Sequence, residues 1–297
     1  MLKKAKEVAS AISYWCLPPG IEAMLVDMAR LGYILLKNRS VVFTDPRQGE
    51  NRKLKNIHAG QRCFILANGP SILKEDLAPL KDEICFSVSN FYKHPLYSTI
   101  KPSYHCVPNL ALREQTEANI ITWFNEMHRG TLNAHVFLGF RQKGIVQNNK
   151  LFPGRKVNFL LTESMHIIDG KRVRDLSTNM LNPESVPIMT LLIALYMGFT
   201  KIYLLGVDHD YLRTGQYQYF FERKEMVLND ACVSSDGRLL FTRMNNFIYS
   251  TRLWKQYILT NKVAKEKGVE IINLSQGSYL DVFPFDDLAA VLRKSKA

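Results

Sequence analysis

The side chains best able to do chemistry gather in one short stretch, Asp208-His209-Asp210-Tyr211, with Tyr217 six residues beyond Tyr211. A carboxylate next to an imidazole orients the ring and raises its basicity, which suits removal of a proton from a hydroxyl. His209 is therefore read as a general base oriented by Asp208 or Asp210. The same two aspartates would also suit a Mg²⁺ ion on a diphosphate. The run equally fits a charged surface loop in which Asp208 caps a turn, and Tyr211 and Tyr217 fit ordinary packing aromatics.

The elements around this stretch decide where it lies. The run Cys63-Phe64-Ile65-Leu66-Ala67 is made of buried β-formers and breaks at Asn68-Gly69-Pro70-Ser71. This reads as a buried parallel strand ending at its carboxyl edge in a tight turn. Gly69 permits close approach of backbone or ligand, Pro70 stiffens the turn, and Ser71 is placed to cap a following helix. Ligands bind at that edge of open α/β sheets, and a helix N-terminus there favours phosphate. Leu73–Leu80 reads as a short helix or turn. Further strands are expected at Ile84–Val88, Tyr104–Val107, Ala134–Leu138, Val157–Leu161, Lys201–Asp208 and Val269–Leu274. Residues 112–128 and 249–267 read as helices, and Ser185–Met197, nearly all apolar, reads as a buried helix stopped by Gly198. Strands alternating with helices imply an α/β protein with a mostly parallel, doubly wound sheet. His105 and Asn109 follow the third strand and are candidates for the same cleft. Lys171, Arg172 and Arg174 lie in a polar loop, and Asn273-Leu274-Ser275-Gln276-Gly277-Ser278 is another strand-to-turn junction.

Bulk properties narrow the class. A chain of 297 residues with 46% hydrophobic content is enough for one sizeable domain and an appendage, or for two small domains. Five cysteines without a Cys-x-x-Cys pair argue against a zinc site or a disulfide framework. A formal charge of +12 suits anionic lipid or phosphorylated substrates. No RNA-binding aromatic signature or unbroken basic tract points to nucleic acid. Residues 1–16 and 20–37 read as two basic amphipathic helices split by Leu17-Pro18-Pro19-Gly20, and a domain boundary is placed near residue 60. The helix pair either lies on an anionic membrane surface or packs as a hairpin on the domain or on another subunit of a homo-oligomer. Its longest apolar run is too short to span a bilayer, and no signal-peptide core is evident.

Three segments together resemble the bacterial sialyltransferases of the Campylobacter type, relatives of the motility-associated glycosyltransferases and of a pterin diphosphokinase. Ala67-Asn68-Gly69-Pro70-Ser71 is similar to the family's Gly-Asn-Gly-Pro-Ser nucleotide loop, with Ala67 in place of the first glycine. Val88-Ser89-Asn90-Phe91-Tyr92 resembles its Cys-Asn-Gln-Phe-Tyr strand end. The apolar helix followed by Gly198-Phe199-Thr200-Lys201-Ile202-Tyr203-Leu204-Leu205-Gly206-Val207-Asp208 resembles its helix, Gly-Tyr-Lys-Glu-Ile-Tyr-Leu and Gly-Ile-Asp. The likeness covers roughly residues 61–285.

That resemblance implies a Rossmann-like catalytic domain of GT-A-variant type over residues 61–297, acting on a CMP-activated sialic-acid-like sugar without a metal. It implies that Asn68 holds the nucleotide phosphate, that Ser89 and Asn90 face base, ribose or sugar, and that Tyr211 and Tyr217 donate to the departing phosphate. Ser275 and Ser278 would touch the nucleotide from a turn over the base, with Ser185 near the family's changed donor-site Ser-Gly. The acceptor would be a glycan or glycolipid of a bacterial surface polysaccharide such as lipopolysaccharide or capsule, met at the cytoplasmic face of the inner membrane. One departure stands out: the family's catalytic histidine lies after the second tyrosine, and this chain has no histidine beyond His209. A diphosphokinase using ATP and Mg²⁺, or a non-catalytic membrane-associated subunit, are the competing readings.

Overall fold

A computed structural model describes residue 28 and residues 49–108, 110, 116–163, 175–177, 180–211, 218–222 and 243–294. The expectations placed on the two N-terminal helices and on Asn109, Lys171, Arg172, Arg174 and Tyr217 lie outside the described residues.

Seven parallel strands form the central sheet: β1 (Arg62–Leu66), β2 (Cys85–Val88), β3 (Tyr104–Cys106), β4 (His135–Gly139), β5 (Val157–Leu160), β8 (Lys201–Leu205) and β9 (Glu270–Asn273). A two-stranded parallel pair, β6 (Thr162–Glu163) and β7 (Met180–Leu181), stands apart. The order is β5-β4-β3-β2-β1-β8-β9. The chain thus winds outward from β1 in one direction and from β8 in the other. Between β1 and β8, where the direction of winding changes, the carboxyl edge opens into a crevice, as in other Rossmann-like sheets.

Successive strand residues face opposite sides, so each strand feeds two cores. Cys63, Ile65 and Ala67 of the β1 segment join one core, which the apolar helix α4 (Val186–Met197) and helix α5 (Arg243–Glu266) cover through Leu192, Leu253 and Tyr257. Phe64 and Leu66 join the other, closed by α2 (Glu117–Gly130) and α6 (Leu288–Lys294) through Trp123, Phe124 and Val291. Two shorter helices, α1 (Tyr97–Ile100) and α3 (Lys143–Asn148), complete the described set. Gly198 ends α4 at φ 90°, in the left-handed region that glycine adopts without strain.

The strand expectations agree with the sheet within a residue or two, except that Lys201–Asp208 ends at Leu205 and its last residues form the functional turn. Three expectations are corrected. The α-helix that Ser71 was placed to cap is absent, and the short helix or turn read at Leu73–Leu80 consists of two 3₁₀ turns, Pro70–Lys74 and Ala78–Asp82, each with a proline near its start. Phosphate binding at a helix N-terminus there has no structural basis. Helix α2 begins at Glu117 rather than residue 112, because Thr116 accepts a hydrogen bond from the Asn119 amide and caps it. Helix α5 starts at Arg243, six residues before the expected 249.

Residues from Asn51 onward also pack on this body. Asn51 is fully buried and donates to the carbonyls of Phe159 at 3.0 Å and Leu176 at 2.8 Å. The His58 amide donates to the Met197 carbonyl at 2.9 Å. Among the described residues no helix is long and apolar enough to cross a membrane.

Candidate functional site

The carboxyl ends of β1 and β8 interlock. The Ala67 amide donates to the Leu205 carbonyl and the Gly69 amide to the Gly206 carbonyl, each at 2.8 Å. A Cβ on Gly69 would lie 2.5 Å from both the Gly206 oxygen and Asp208 Cγ, so the close approach that demands glycine is to protein. Asp208 then reaches across: its Oδ2 accepts from the Ser71 amide at 2.8 Å and its Oδ1 from the Ser71 hydroxyl. Burial pushes the Asp208 carboxyl above its ordinary range, with Ser71 pulling it back down and Asp210 adding a smaller upward push.

This arrangement bears on the expected role of Asp208. Asp208 holds Ser71 and does not orient His209. His209 sits at φ 51° and is buried, with Nε2 2.9 Å from the Tyr257 hydroxyl and its ring packed among Tyr211, Trp254 and Tyr257. Burial alone pushes His209 down to about 4. The Tyr257 hydroxyl also lies 3.2 Å from Ser185 Oγ, so one phenol links the imidazole to the start of α4. Both Asp208 oxygens accept from Ser71, which leaves each a second lone pair.

The β2 end supplies the facing wall. Ser89 takes a left-handed backbone at φ 49° and its amide donates to the Cys106 carbonyl at 2.9 Å. Asn90 Oδ1 accepts from Trp123 Nε1 at 2.6 Å and from the Tyr92 hydroxyl at 3.2 Å. An indole nitrogen only donates, so the amide oxygen must face Trp123 and the NH₂ group is left as a donor. Asn68 presents a different atom: its Oδ1 is buried and has no partner among the described residues.

A roof is built by residues from far along the chain. Gln256 of α5 accepts from the Glu184 amide at 2.8 Å and donates to the Asn182 carbonyl at 3.0 Å. Tyr249 donates to the Glu184 carbonyl at 3.0 Å, and Arg252 Nε lies 3.5 Å from the Glu184 carboxylate. On the open side the Phe220 amide donates to the Asn68 carbonyl at 3.0 Å, and the Phe220 ring packs edge-on against Phe91 and His94.

These walls enclose a cavity of about 340 Å³, within the range of small-molecule sites. Of the residues singled out in the sequence, Ala67, Asn68, Gly69, Ser89, Asn90, Ser185, Asp208, His209, Asp210 and Tyr211 line it. Ser71, Ser275 and Ser278 are not among the lining residues and bond to the turn after β8. Ser275 Oγ accepts from the Val207 amide at 3.0 Å, and Ser278 Oγ donates to the Val207 carbonyl at 2.6 Å, so both brace the turn after β8. His105 is fully buried, bonded through Nδ1 to Ser87 Oγ at 2.8 Å, pushed down to about 3 by burial, and outside the cavity wall. Glu184, Tyr249, Gln218 and Tyr219 also line the cavity and were not among the predicted site residues. Tyr249 stood in a hydroxyl-rich stretch of the sequence; Glu184 carried no signal. Among the described residues no Lys or Arg lines the cavity, so an anion there would be met by neutral donors.

No family model matches the chain, and no curated protein matches it. Among solved structures, it is similar to the sialyltransferase CstII from Campylobacter jejuni in complex with the substrate analogue CMP-3FNeuAc. The identity is 15%, the match covers 76% of this chain and 86% of that chain, and the TM-score is 0.46. The same sialyltransferase in complex with cytidine-5'-monophosphate matches at 14% identity over 76% of this chain and 85% of that chain, with a TM-score of 0.43. The sialyltransferase CST-II with trisaccharide acceptor and CMP matches at 14% identity, 76% and 85% coverage and a TM-score of 0.44.

Proposed function

We propose that this chain is a glycosyltransferase that moves a sialic-acid-like sugar from a CMP-activated donor to a hydroxyl of a glycan or glycolipid. One observation carries the reading. The Asn68-Gly69 turn, the Ser89-Asn90 strand end and the Gly206–Tyr211 turn, the segments that resemble sialyltransferase motifs, converge on one cavity at the sheet's switch point.

The chemistry follows from the donors in that wall. Loss of CMP leaves an oxocarbenium-like sugar and a phosphate whose charge grows as the bond breaks. Hydroxyl and amide donors aimed at that phosphate lower the barrier without a metal. Tyr211, whose hydroxyl burial holds in its protonated form, takes that role with Tyr217. Asn90 donates through its NH₂ group, and Asn68 offers its unpartnered oxygen to a ribose or sugar hydroxyl. The acceptor proton passes to His209, neutral throughout the physiological range. With Nε2–H donating to Tyr257, Nδ1 carries the lone pair that takes the proton. The basic segment 1–40 brings the enzyme to the inner face of the bacterial inner membrane, where lipid-linked acceptors are presented.

The test is a thermal-shift and calorimetric comparison of CMP, CDP, UDP, ADP and ATP, each with and without Mg²⁺. CMP binding independent of Mg²⁺ supports the transferase reading. Binding of ATP with Mg²⁺, and not of CMP, would replace it with the diphosphokinase one.

A further inference from the structure

Helix α5, Arg243–Glu266, spans 24 residues, about 36 Å at the α-helical rise. Its inner face is explained by the fold: Leu253, Tyr257, Val263 and Ala264 are buried in the core, and Gln256 holds the roof of the cavity. Its outer face is not. Met244 is 67% exposed, Phe247 67%, Ile248 45% and Ile258 57%, four of the ten large exposed hydrophobic residues among the described ones. They are not scattered. Exposed positions 244, 248, 251, 255, 258, 262 and 265 follow one another at alternating spacings of four and three, which makes a single stripe along the helix.

The stripe has a defined chemistry. Met244, Phe247 and Ile248 form an apolar patch at its start, Ile258 continues it, and Lys255, Lys262 and Lys265 alternate with these toward the other end. None of the three lysines has an ion-pair or hydrogen-bond partner among the described residues. The helix carries one acidic residue, Glu266, in its last turn.

Two occupants suit a stripe with this spacing, and the lysines choose between them. Packing against a second copy of the helix would bury lysines in the seam, where like charges repel and ammonium groups lose water. On a lipid surface the same lysines extend their stems along the apolar boundary and place their charges among phosphates, while the phenylalanine, methionine and isoleucines enter the acyl edge. We infer that the outer face of α5 is a docking surface for an anionic lipid bilayer. This surface is separate from the cavity wall and does not depend on which transfer reaction the cavity performs.

The experiment is co-sedimentation of the full chain with phosphatidylglycerol–phosphatidylcholine vesicles and with pure phosphatidylcholine vesicles, at low and raised salt. Two variants are compared with the parent: Lys255→Glu/Lys262→Glu/Lys265→Glu, and Phe247→Ser/Ile258→Ser. All the altered side chains are exposed, and circular dichroism checks that both variants fold. The parent is expected to bind the anionic vesicles only, with binding weakened by salt, and the triple lysine variant to lose more than about tenfold in partitioning. The apolar variant should lose binding that salt does not restore. As a local readout, tryptophan fluorescence of Phe247→Trp should shift to the blue only with anionic vesicles. Parent-level binding by both variants would overturn the inference and leave vesicle binding to other segments, as would failure of the parent to bind. A fall in solution mass in the variants, with vesicle binding unchanged, would assign the stripe to a second copy instead.

Discussion

The Asp208 carboxylate grips Ser71 through both the backbone amide, at 2.8 Å, and the side-chain hydroxyl, across 137 residues of sequence. This pair ties the turn after β1 to the turn after β8 and so fixes the floor of the cavity. An acidic residue beside a histidine in sequence is here a structural clamp.

Ser71→Ala at neutral pH leaves the Asp208 carboxylate with one donor fewer in a buried place. The expected loss is about 1.5–3 kcal/mol, the scale for a hydrogen bond to a charged group. Because the folded-state pKa of Asp208 is raised, its contribution is most favourable below the ordinary carboxylate pKa and is lost as pH rises through the elevated folded value. The Ser71 bonds pull the other way and favour the ionised carboxyl, so the Ser71→Ala penalty should shrink in acid as Asp208 protonates. Urea unfolding of both proteins across pH measures it, and a penalty constant with pH would remove Asp208 from the explanation.

Asn90→Asp keeps an oxygen for Trp123 and Tyr92 but replaces the NH₂ donor with an acceptor. Nucleotide affinity should fall by about tenfold or more, the worth of one lost hydrogen bond plus the repulsion of an anion. Titration calorimetry reads the affinity and thermal melting reads the fold. Equal affinity would mean that the amide does not face the ligand.

Tyr211→Phe should slow the chemical step by about 10²–10³ while changing donor affinity little, as expected for a donor to charge that develops in the transition state. Single-turnover kinetics separate the two. A variant that binds donor weakly yet reacts at the parent rate would make Tyr211 a ground-state contact.

His209→Asn should retain donor binding and lose about 10²–10⁴ in rate, the usual contribution of a general base. The acid limb of the parent pH–rate profile should fall near 4, where burial places this imidazole, rather than near the ordinary histidine value. Burial of neutral His209 and of His105, pushed to about 3, also makes stability pH-dependent. Their contribution is complete above the unfolded histidine pKa and is lost as pH falls from there toward the folded values. Both variants, His209→Asn and His105→Asn, should flatten the acid side of the melting curve.

The sheet was legible because parallel strands buried on both faces read as unbroken apolar runs, and Phe64 and Leu66 feed one core while Cys63 and Ile65 feed the other. The site was legible where chemistry sits at strand ends: Asn68, Ser89, Asn90 and the 208–211 turn reach the cavity because the carboxyl edge of the sheet does. Legibility stopped where distant contacts decide. Ser71 reads locally as a cap and is claimed by Asp208. Ser275 and Ser278 read as ligand contacts and brace Val207. Gln256 and Tyr249 of α5 bond to the Glu184 backbone in the wall, a contact that no local pattern encodes.

The most direct measurement is nuclear magnetic resonance of CMP-sialic acid incubated with the purified chain and a panel of sugar acceptors, in the presence of a chelator. The transferase reading predicts that CMP appears together with a new glycosidic signal, and that Asn68→Ala and Tyr211→Phe suppress both. A donor that stays intact with every acceptor and shows no saturation transfer from the protein, while ATP is consumed once Mg²⁺ is restored, would contradict it.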